Sequence, residues 1–103
     1  MRLVFAGPAA GDLNDIIDYI ALDNPPAAEG VYRAIVAAAG RLSAMPELGR
    51  AGRLPGTREL AVGALPYIIV YEVGGDAVSV LAVFHGARNL AHALAERRKS
   101  LES

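Results

Sequence analysis

Three basic side chains near the ends of apolar strands are the strongest candidates for chemistry in this sequence. His85 and Arg88 follow the run AVSVLAVF, and Arg58 opens the run RELAV. A histidine can act as general acid or base near neutral pH, and an arginine can stabilise charge on a phosphorane-like transition state. RNA cleavage by attack of a 2′-hydroxyl needs these two functions and no metal. A lone histidine at a strand end is also a common hydrogen-bonding terminator, so a purely structural role for His85 stays open.

Other catalytic arrangements have little support in the sequence. It contains no cysteine and only two histidines, His85 and His92, so we predict no metal and no cofactor. Nucleotide-binding glycine loops and the HExxH motif are absent, and Ser43 and Ser79 lack the context of a nucleophile elbow. Three carboxylates are expected on the solvated outer side of the first helix: Asp12, Asp15 and Asp18.

A second group of arginines lies in the loop PELGRAGRLPGT. Arg50 and Arg53 belong to this loop and are candidates for binding a target, because guanidinium groups pair with phosphate or carboxylate in bidentate geometry. The alternative is that they pair with nearby glutamates of the same chain, namely Glu47, Glu59 and Glu72. The chain has a net charge of −1 and one lysine, which is weak support for RNA binding.

The spacing of apolar residues predicts an α+β fold with the helices before the main sheet. Helical periodicity indicates a helix from Pro8 to about Leu22 and a second from Pro25 to Met45, joined so closely that they form an antiparallel hairpin. Three β-rich runs follow and predict an antiparallel meander, and a short helix is expected near the C-terminus. The predicted strands and last helix cover residues 58–62, 67–73, 77–84 and 90–98, with an N-terminal strand at 2–6.

Strict alternation leaves both faces of the predicted meander largely apolar. On its last strand we expect two sets of side chains on opposite faces: Val78, Val80, Ala82 and Phe84 against Ser79, Leu81 and Val83. The helical hairpin can cover one face, and we expect a partner protein to cover the other. The length of 103 residues indicates one domain over 1–103. The absence of cysteine, of a signal peptide and of a long apolar run favours a cytoplasmic protein without a membrane span.

The ordered segments DLNDIIDYIALDNPPAA, MPELGRAGR, GTREL, PYIIVYEV and VLAVFHGARN resemble the RelE/ParE superfamily of type II toxins, and the helical hairpin is closer to ParE. The resemblance covers nearly the whole chain. It implies a toxin that a cognate antitoxin holds inactive in a hetero-oligomer. It also implies that the antitoxin lies along the helical hairpin, where five apolar residues are candidate contacts: Leu13, Ile16, Ile20, Val31 and Ile35.

The resemblance leaves the target open. ParE-like members inhibit DNA gyrase by binding it, and Arg50 and Arg53 would then contact the target. RelE-like members cut mRNA on the ribosome, and Arg58, His85 and Arg88 match the positions that would catalyse this reaction. The scarcity of lysine departs from the RelE pattern and favours gyrase. A third hypothesis is a degenerate, non-toxic member that only binds its partner.

Overall fold

A computed structural model, which describes residues 1–102, has the predicted α+β architecture. Its elements are β1 (Arg2–Phe5), α1 (Gly7–Ala21), α2 (Pro25–Ala44), β2 (Arg50–Ala51), β3 (Arg58–Ala61), β4 (Tyr67–Gly74), β5 (Ala77–His85) and α3 (Leu90–Glu102). The strands form one mixed sheet in the order β1-β5-β4-β3-β2. β1 runs parallel to β5, and the other neighbouring strands are antiparallel.

The helical hairpin forms where the sequence predicts it and packs on one face of the sheet. Asn24 ends the connection between the helices, and its side-chain oxygen accepts a hydrogen bond of 3.1 Å from the backbone N–H of Ala27. Pro25 follows at the first helical position, where its missing N–H costs nothing. The buried core of this layer contains Leu13, Ile35 and Leu42 from the helices. The hairpin therefore covers one apolar face of the sheet, as expected.

A β-bulge in β5 changes the face on which its later residues lie. Val70 pairs with Ala82 and Tyr71 with Val80, so Leu81 has no partner on β4. One extra residue reverses the alternation of the residues that follow it. Val83 accordingly joins the core under the hairpin. Ala82 and Phe84 lie on the opposite face, in a second core. The strict alternation predicted for this strand is therefore wrong beyond Leu81.

The second face of the sheet is covered by α3, which continues beyond the predicted end at Arg98 to Glu102. Leu90, Ala93 and Leu94 of this helix are buried against Val70 and Phe84. The expectation that a partner must cover this face is wrong, because the chain brings its own C-terminal helix across it. No helix among residues 1–102 is long and apolar enough to span a membrane.

An ion pair between Asp12 and Arg97 joins α1 to α3 through the bulged strand. The Asp12 carboxylate accepts bonds of 2.7 and 2.8 Å from the Arg97 guanidinium and a bond of 2.9 Å from the backbone N–H of Val83. Arg97 also donates to the carbonyl of Leu81 at 2.9 Å. Because β1 ends opposite Val80, these side chains satisfy backbone groups that no strand can reach. The prediction that Asp12 is solvated is wrong, whereas Asp15 and Asp18 are exposed.

We expect Asp12→Ala to lower the free energy of unfolding by about 3 kcal/mol, because it leaves a largely buried guanidinium and the Val83 N–H without their partner. Urea titration of both proteins measures the loss, and hydrogen exchange should show α3 opening first. The matched control is Asp15→Ala on the same helix, which should change stability by less than about 0.5 kcal/mol. Equal stability of the two variants would contradict the bridging role of Asp12.

Candidate functional site

The arginine loop is held against the sheet by the fully buried side chain of Tyr71. The Tyr71 hydroxyl donates a hydrogen bond of 2.8 Å to the carbonyl of Pro46 and accepts one of 2.9 Å from the N–H of Gly49. These bonds fix the chain between the end of α2 and the start of β2. The loop therefore leaves the hydrophobic core at a defined position.

β2 is a two-residue strand inside this loop that the sequence analysis missed. Arg50 pairs with Glu59 and Ala51 with Arg58 across the edge of the sheet. A strand this short has no readable alternation, and the surrounding glycines and prolines suggest a loop. The backbone pairing with β3 holds Arg50 in a strand at the edge of the sheet.

Arg50 and Arg53 share one buried carboxylate. Glu59 is 3% exposed, and its side chain accepts bonds of 2.9 Å from the Arg53 guanidinium and 2.9 Å from the Arg53 N–H. The Arg50 guanidinium lies 3.5 Å from the same carboxylate. Of the glutamates proposed as partners, Glu59 fills this role. Since one negative charge faces two positive ones, the cluster keeps a net positive charge at the surface.

The third arginine of this region, Arg58, contacts backbone carbonyls on the other face of β3. Its guanidinium donates to Gly49 O at 2.7 Å and to Glu47 O at 3.4 Å. The side chain is half-buried. Arg58 thus supports the loop from the hairpin side, and part of its hydrogen-bonding capacity is used within the chain.

His85 and Arg88 lie at the end of β5, where they line a small surface pocket with Asp12, Asp15 and Ile16. The ring of His85 meets that of Tyr67 edge-on, at 5.6 Å between centroids. Its Nδ1 accepts a 3.1 Å bond from the N–H of Ala87, so neutral His85 carries its proton on Nε2. In this form the exposed ring of His85 presents its Nε2–H group as a hydrogen-bond donor.

The three predicted catalytic residues do not form one cluster. Arg58 on β3 pairs with Tyr71 of β4, whereas His85 on β5 pairs with Tyr67 of β4. Four residues of strand separate these positions, about 13 Å along β4, and β3 and β5 lie on opposite sides of it. Arg88 stacks on Phe84, with its guanidinium carbon 4.8 Å from the ring centroid. The structure brings His85 and Arg88 to one pocket and places Arg58 elsewhere.

The apolar residues predicted to contact an antitoxin are divided between core and surface. Leu13 is 7% exposed and Ile35 is fully buried, so both pack within the chain and offer no direct contact area to a partner. This burial is evidence against the predicted direct contact of an antitoxin with Leu13 and Ile35. The other three predicted contacts, Ile16, Ile20 and Val31, are half-buried. Of these, Ile16 and Val31 pack against the same core.

The most exposed apolar side chains of the hairpin were not among the predicted antitoxin contacts. They are Tyr19 on α1, Leu22 directly after the end of α1, and Tyr32 on α2. Core-facing periodicity identifies the buried stripe, and these residues lie outside it. Tyr19 and Leu22 each follow an aspartate by four residues, Asp15 and Asp18 respectively. This spacing puts them on the same solvated side of the helix and was the signal that could have identified them. No group of three or more potential ligands that could hold a metal ion occurs among residues 1–102.

Comparison with known families agrees with this architecture. Residues 3–90 match the family described as the ParE toxin of the type II toxin-antitoxin system parDE. The chain belongs to the ParE toxin family. This places it within the RelE/ParE superfamily, as the resemblance of its motifs predicts.

Individual relatives of this ParE-family toxin carry both superfamily names. Toxin RelE2 of Caulobacter vibrioides is 36% identical over 84% of this chain and 97% of its own length. Toxin ParE3 of the same organism is 30% identical over 93% of this chain and 97% of its own. A solved structure of a chromosomal ParDE system from P. aeruginosa superposes with a TM-score of 0.75 at 27% identity, covering 82% of this chain and 95% of that chain.

We expect Gly49→Ala to destabilise this ParE-family toxin by about 1–3 kcal/mol. A Cβ at Gly49 would lie 2.7 Å from the Tyr71 hydroxyl and 2.8 Å from the Glu59 carbonyl oxygen, and neither group can move without breaking the loop's contacts. The control is Gly40→Ala in α2, where a Cβ meets nothing within 4 Å. Since alanine favours a helix, that variant should gain about 1 kcal/mol.

Thermal and urea unfolding of the two alanine variants, side by side, check the prediction. The near-UV circular dichroism of the tyrosines reports whether the surroundings of Tyr71 have changed in the Gly49 variant. A Gly49→Ala protein as stable as the Gly40→Ala protein would show that the loop is not fixed by Tyr71.

Proposed function

We propose that this chain is a toxin that acts in the cytoplasm by binding DNA gyrase, and that a cognate antitoxin neutralises it. The observation that carries the choice of target is the arginine pair on Glu59. Two bonds of 2.9 Å hold Arg53 to the buried Glu59 carboxylate of β3, and Arg50 lies 3.5 Å from the same group, so the cluster keeps a net positive charge. Fixed guanidinium groups at an edge suit recognition of a protein surface or of the phosphates near it.

The separation of the candidate catalytic residues also favours binding over catalysis. A phosphoryl-transfer site requires its acid, base and charge-stabilising groups within hydrogen-bonding reach of one substrate. Arg58 lies on another strand and contacts Gly49 O, while His85 accepts from a neighbouring N–H. A binding surface makes no such demand, because its contacts add up over a wide area.

An antitoxin partner is supported by the ParDE structure of P. aeruginosa, which describes a toxin–antitoxin system. The exposed apolar side chains on the helical hairpin provide a surface that such a partner can cover. We propose that the antitoxin contacts this hairpin, with Ile16, Ile20 and Val31 at the margin of the contact.

The gyrase proposal predicts that the purified chain inhibits supercoiling and that Arg50→Glu abolishes the inhibition, because the mutation reverses a fixed charge at the contact. The matched control is Arg33→Glu. Both guanidinium side chains are about equally exposed, at 69% and 70%, and each pairs with one glutamate. Conversion of relaxed plasmid by gyrase, titrated with each protein, measures the effect. Full gyrase activity at micromolar wild-type toxin would refute the proposal.

Ribosome-dependent mRNA cleavage is the second candidate, and the pocket shared by His85 and Arg88 is the observation that favours it. The relative named RelE2 adds support from similarity. This candidate predicts that His85→Ala and Arg88→Ala each lose toxicity while unfolding like the wild type. Induced cells would stop protein synthesis at once, whereas gyrase inhibition causes filamentation and a DNA-damage response. Normal growth after induction without antitoxin would instead identify a degenerate, non-toxic member.

A further inference from the structure

A shallow cleft at the end of α2 lies beside the arginine loop, and neither proposed function uses it. The cleft has a volume of about 520 Å³ and is lined by residues 44–48. Two of these residues, Met45 and Leu48, have apolar side chains that are 50% and 43% exposed. We call this feature the α2 cleft.

The backbone around the α2 cleft is fixed by hydrogen bonds within the chain. The buried Tyr71 hydroxyl donates to the carbonyl of Pro46 at 2.8 Å. The carbonyl of Met45 accepts a bond of 3.1 Å from the N–H of Leu48. Because these two carbonyls are occupied within the chain, a partner meets apolar side-chain surface at these positions. The cleft is therefore formed before any partner binds.

The α2 cleft and the arginine loop are held next to each other. Leu48 is two residues before Arg50, and the N–H of Gly49 between them donates to the Tyr71 hydroxyl at 2.9 Å. Arg50 itself is held in β2 by its pairing with Glu59 of β3. An apolar site and a positively charged site therefore adjoin on one short, fixed stretch of backbone. This combination is typical of protein–protein contacts, in which methionine and arginine are enriched.

The chain on both sides of the α2 cleft is positively charged. Residues 41–59 contain four arginines and two glutamates, a net charge of +2, whereas the whole chain has −1. Glu59 is buried against its arginines, and Glu47 is the one carboxylate among the residues that line the cleft. Arg41, in the last turn of α2, has no carboxylate partner among residues 1–102. A partner with negative charge is therefore attracted to this part of the surface.

We propose that the α2 cleft and the arginine loop form one contact surface for an acidic segment of the target protein. An apolar side chain of that segment lies in the cleft, and its carboxylates lie opposite Arg50 and Arg53. This inference rests on the proposed function, because it requires a protein as the target. It adds to that function the apolar anchor of the contact and the charge of the segment that the toxin recognises.

Other occupants fit the α2 cleft less well than an acidic protein segment. Nucleic acid binds mainly through its phosphates, which would use the arginines and leave Met45 and Leu48 exposed. A second copy of the chain would bring two positively charged surfaces together. An acidic segment with an apolar anchor satisfies both parts of the surface, and the flexible thioether of Met45 can adapt to the shape of that anchor.

The test measures binding of the full-length chain to purified gyrase holoenzyme without DNA, by surface plasmon resonance, together with inhibition of supercoiling. Met45→Ala and Leu48→Ala each remove an apolar side chain of the cleft. The control is Val4→Ala, because Val4 is 39% exposed and lies on β1 at the opposite edge of the sheet. We expect each cleft variant to weaken binding roughly tenfold or more, as truncation of an interface anchor does. The control should bind like the wild type.

A further variant tests the charge of the bound segment. Glu47→Gln removes the carboxylate that lines the α2 cleft and keeps the size of the side chain. Since that carboxylate repels an acidic segment, the variant should bind gyrase roughly twofold to fivefold more tightly at low salt. The gain should disappear at high salt. Unchanged or weaker binding of this variant at low salt would overturn the acidic chemistry of the partner.

The remaining outcomes separate this inference from the proposed function. If the wild type and both cleft variants bind and inhibit gyrase equally well, the α2 cleft is refuted as a contact while the proposed function stands. If binding is detected only when DNA is added, the occupant is nucleic acid and the protein segment is refuted. If the wild type neither binds nor inhibits gyrase, the proposed function fails and this inference fails with it. Urea unfolding of every variant distinguishes lost binding from lost folding.

Discussion

The bulge at Leu81 is the constraint on which the rest of this fold depends, because it decides which side chains of β5 enter each of the two hydrophobic cores. Before it, Val78 and Val80 lie beneath the helical hairpin; beyond it, Ala82 and Phe84 lie beneath α3. Because β1 ends opposite Val80, backbone groups of β5 beyond that point have no strand beside them. Asp12 and Arg97 pair with two of these groups, the N–H of Val83 and the carbonyl of Leu81, and their ion pair also connects α1 with α3.

A second set of contacts transfers the rigidity of the sheet to the arginine loop. Tyr71 is buried in the core under the hairpin, yet its hydroxyl holds the loop at Pro46 and Gly49. On the opposite face Glu59 is almost fully buried and fixes the neighbouring arginines. A buried carboxylate without cations would be strongly destabilising. Arg53 therefore compensates a negative charge that the fold buries, and its contacts with Glu59 hold it in place at the surface.

Local patterns in the sequence predict the parts of this fold that depend on near neighbours. Both helices of the hairpin and the three strands of the meander follow from periodicity, β-propensity and proline position. Long-range consequences were not readable. Asp12 and Arg97 are 85 residues apart in sequence, and an aspartate on the outer side of a helix looks the same whether or not an arginine reaches it. The position of the bulge could not be predicted from the sequence either, because the residues of β5 near it are all apolar and can pack on either face of the sheet. For the candidate site, the sequence identified Arg50 and Arg53 as the residues of interest. It left open whether they bind a target or pair with a glutamate of the chain, and it did not single out Glu59.

Charges of opposite sign are separated over the molecule, although the chain has a net charge of only −1. Acidic groups without partners gather on the outer side of α1, and arginines in excess of their carboxylate gather on the loop at the opposite edge of the sheet. Summed over the chain these charges cancel, but at a contact only the charges within about 10 Å are felt at physiological salt. A catalyst would need such groups to converge on one point. Their separation across the sheet fits the proposed function, in which an antitoxin binds on one side and a target on the other.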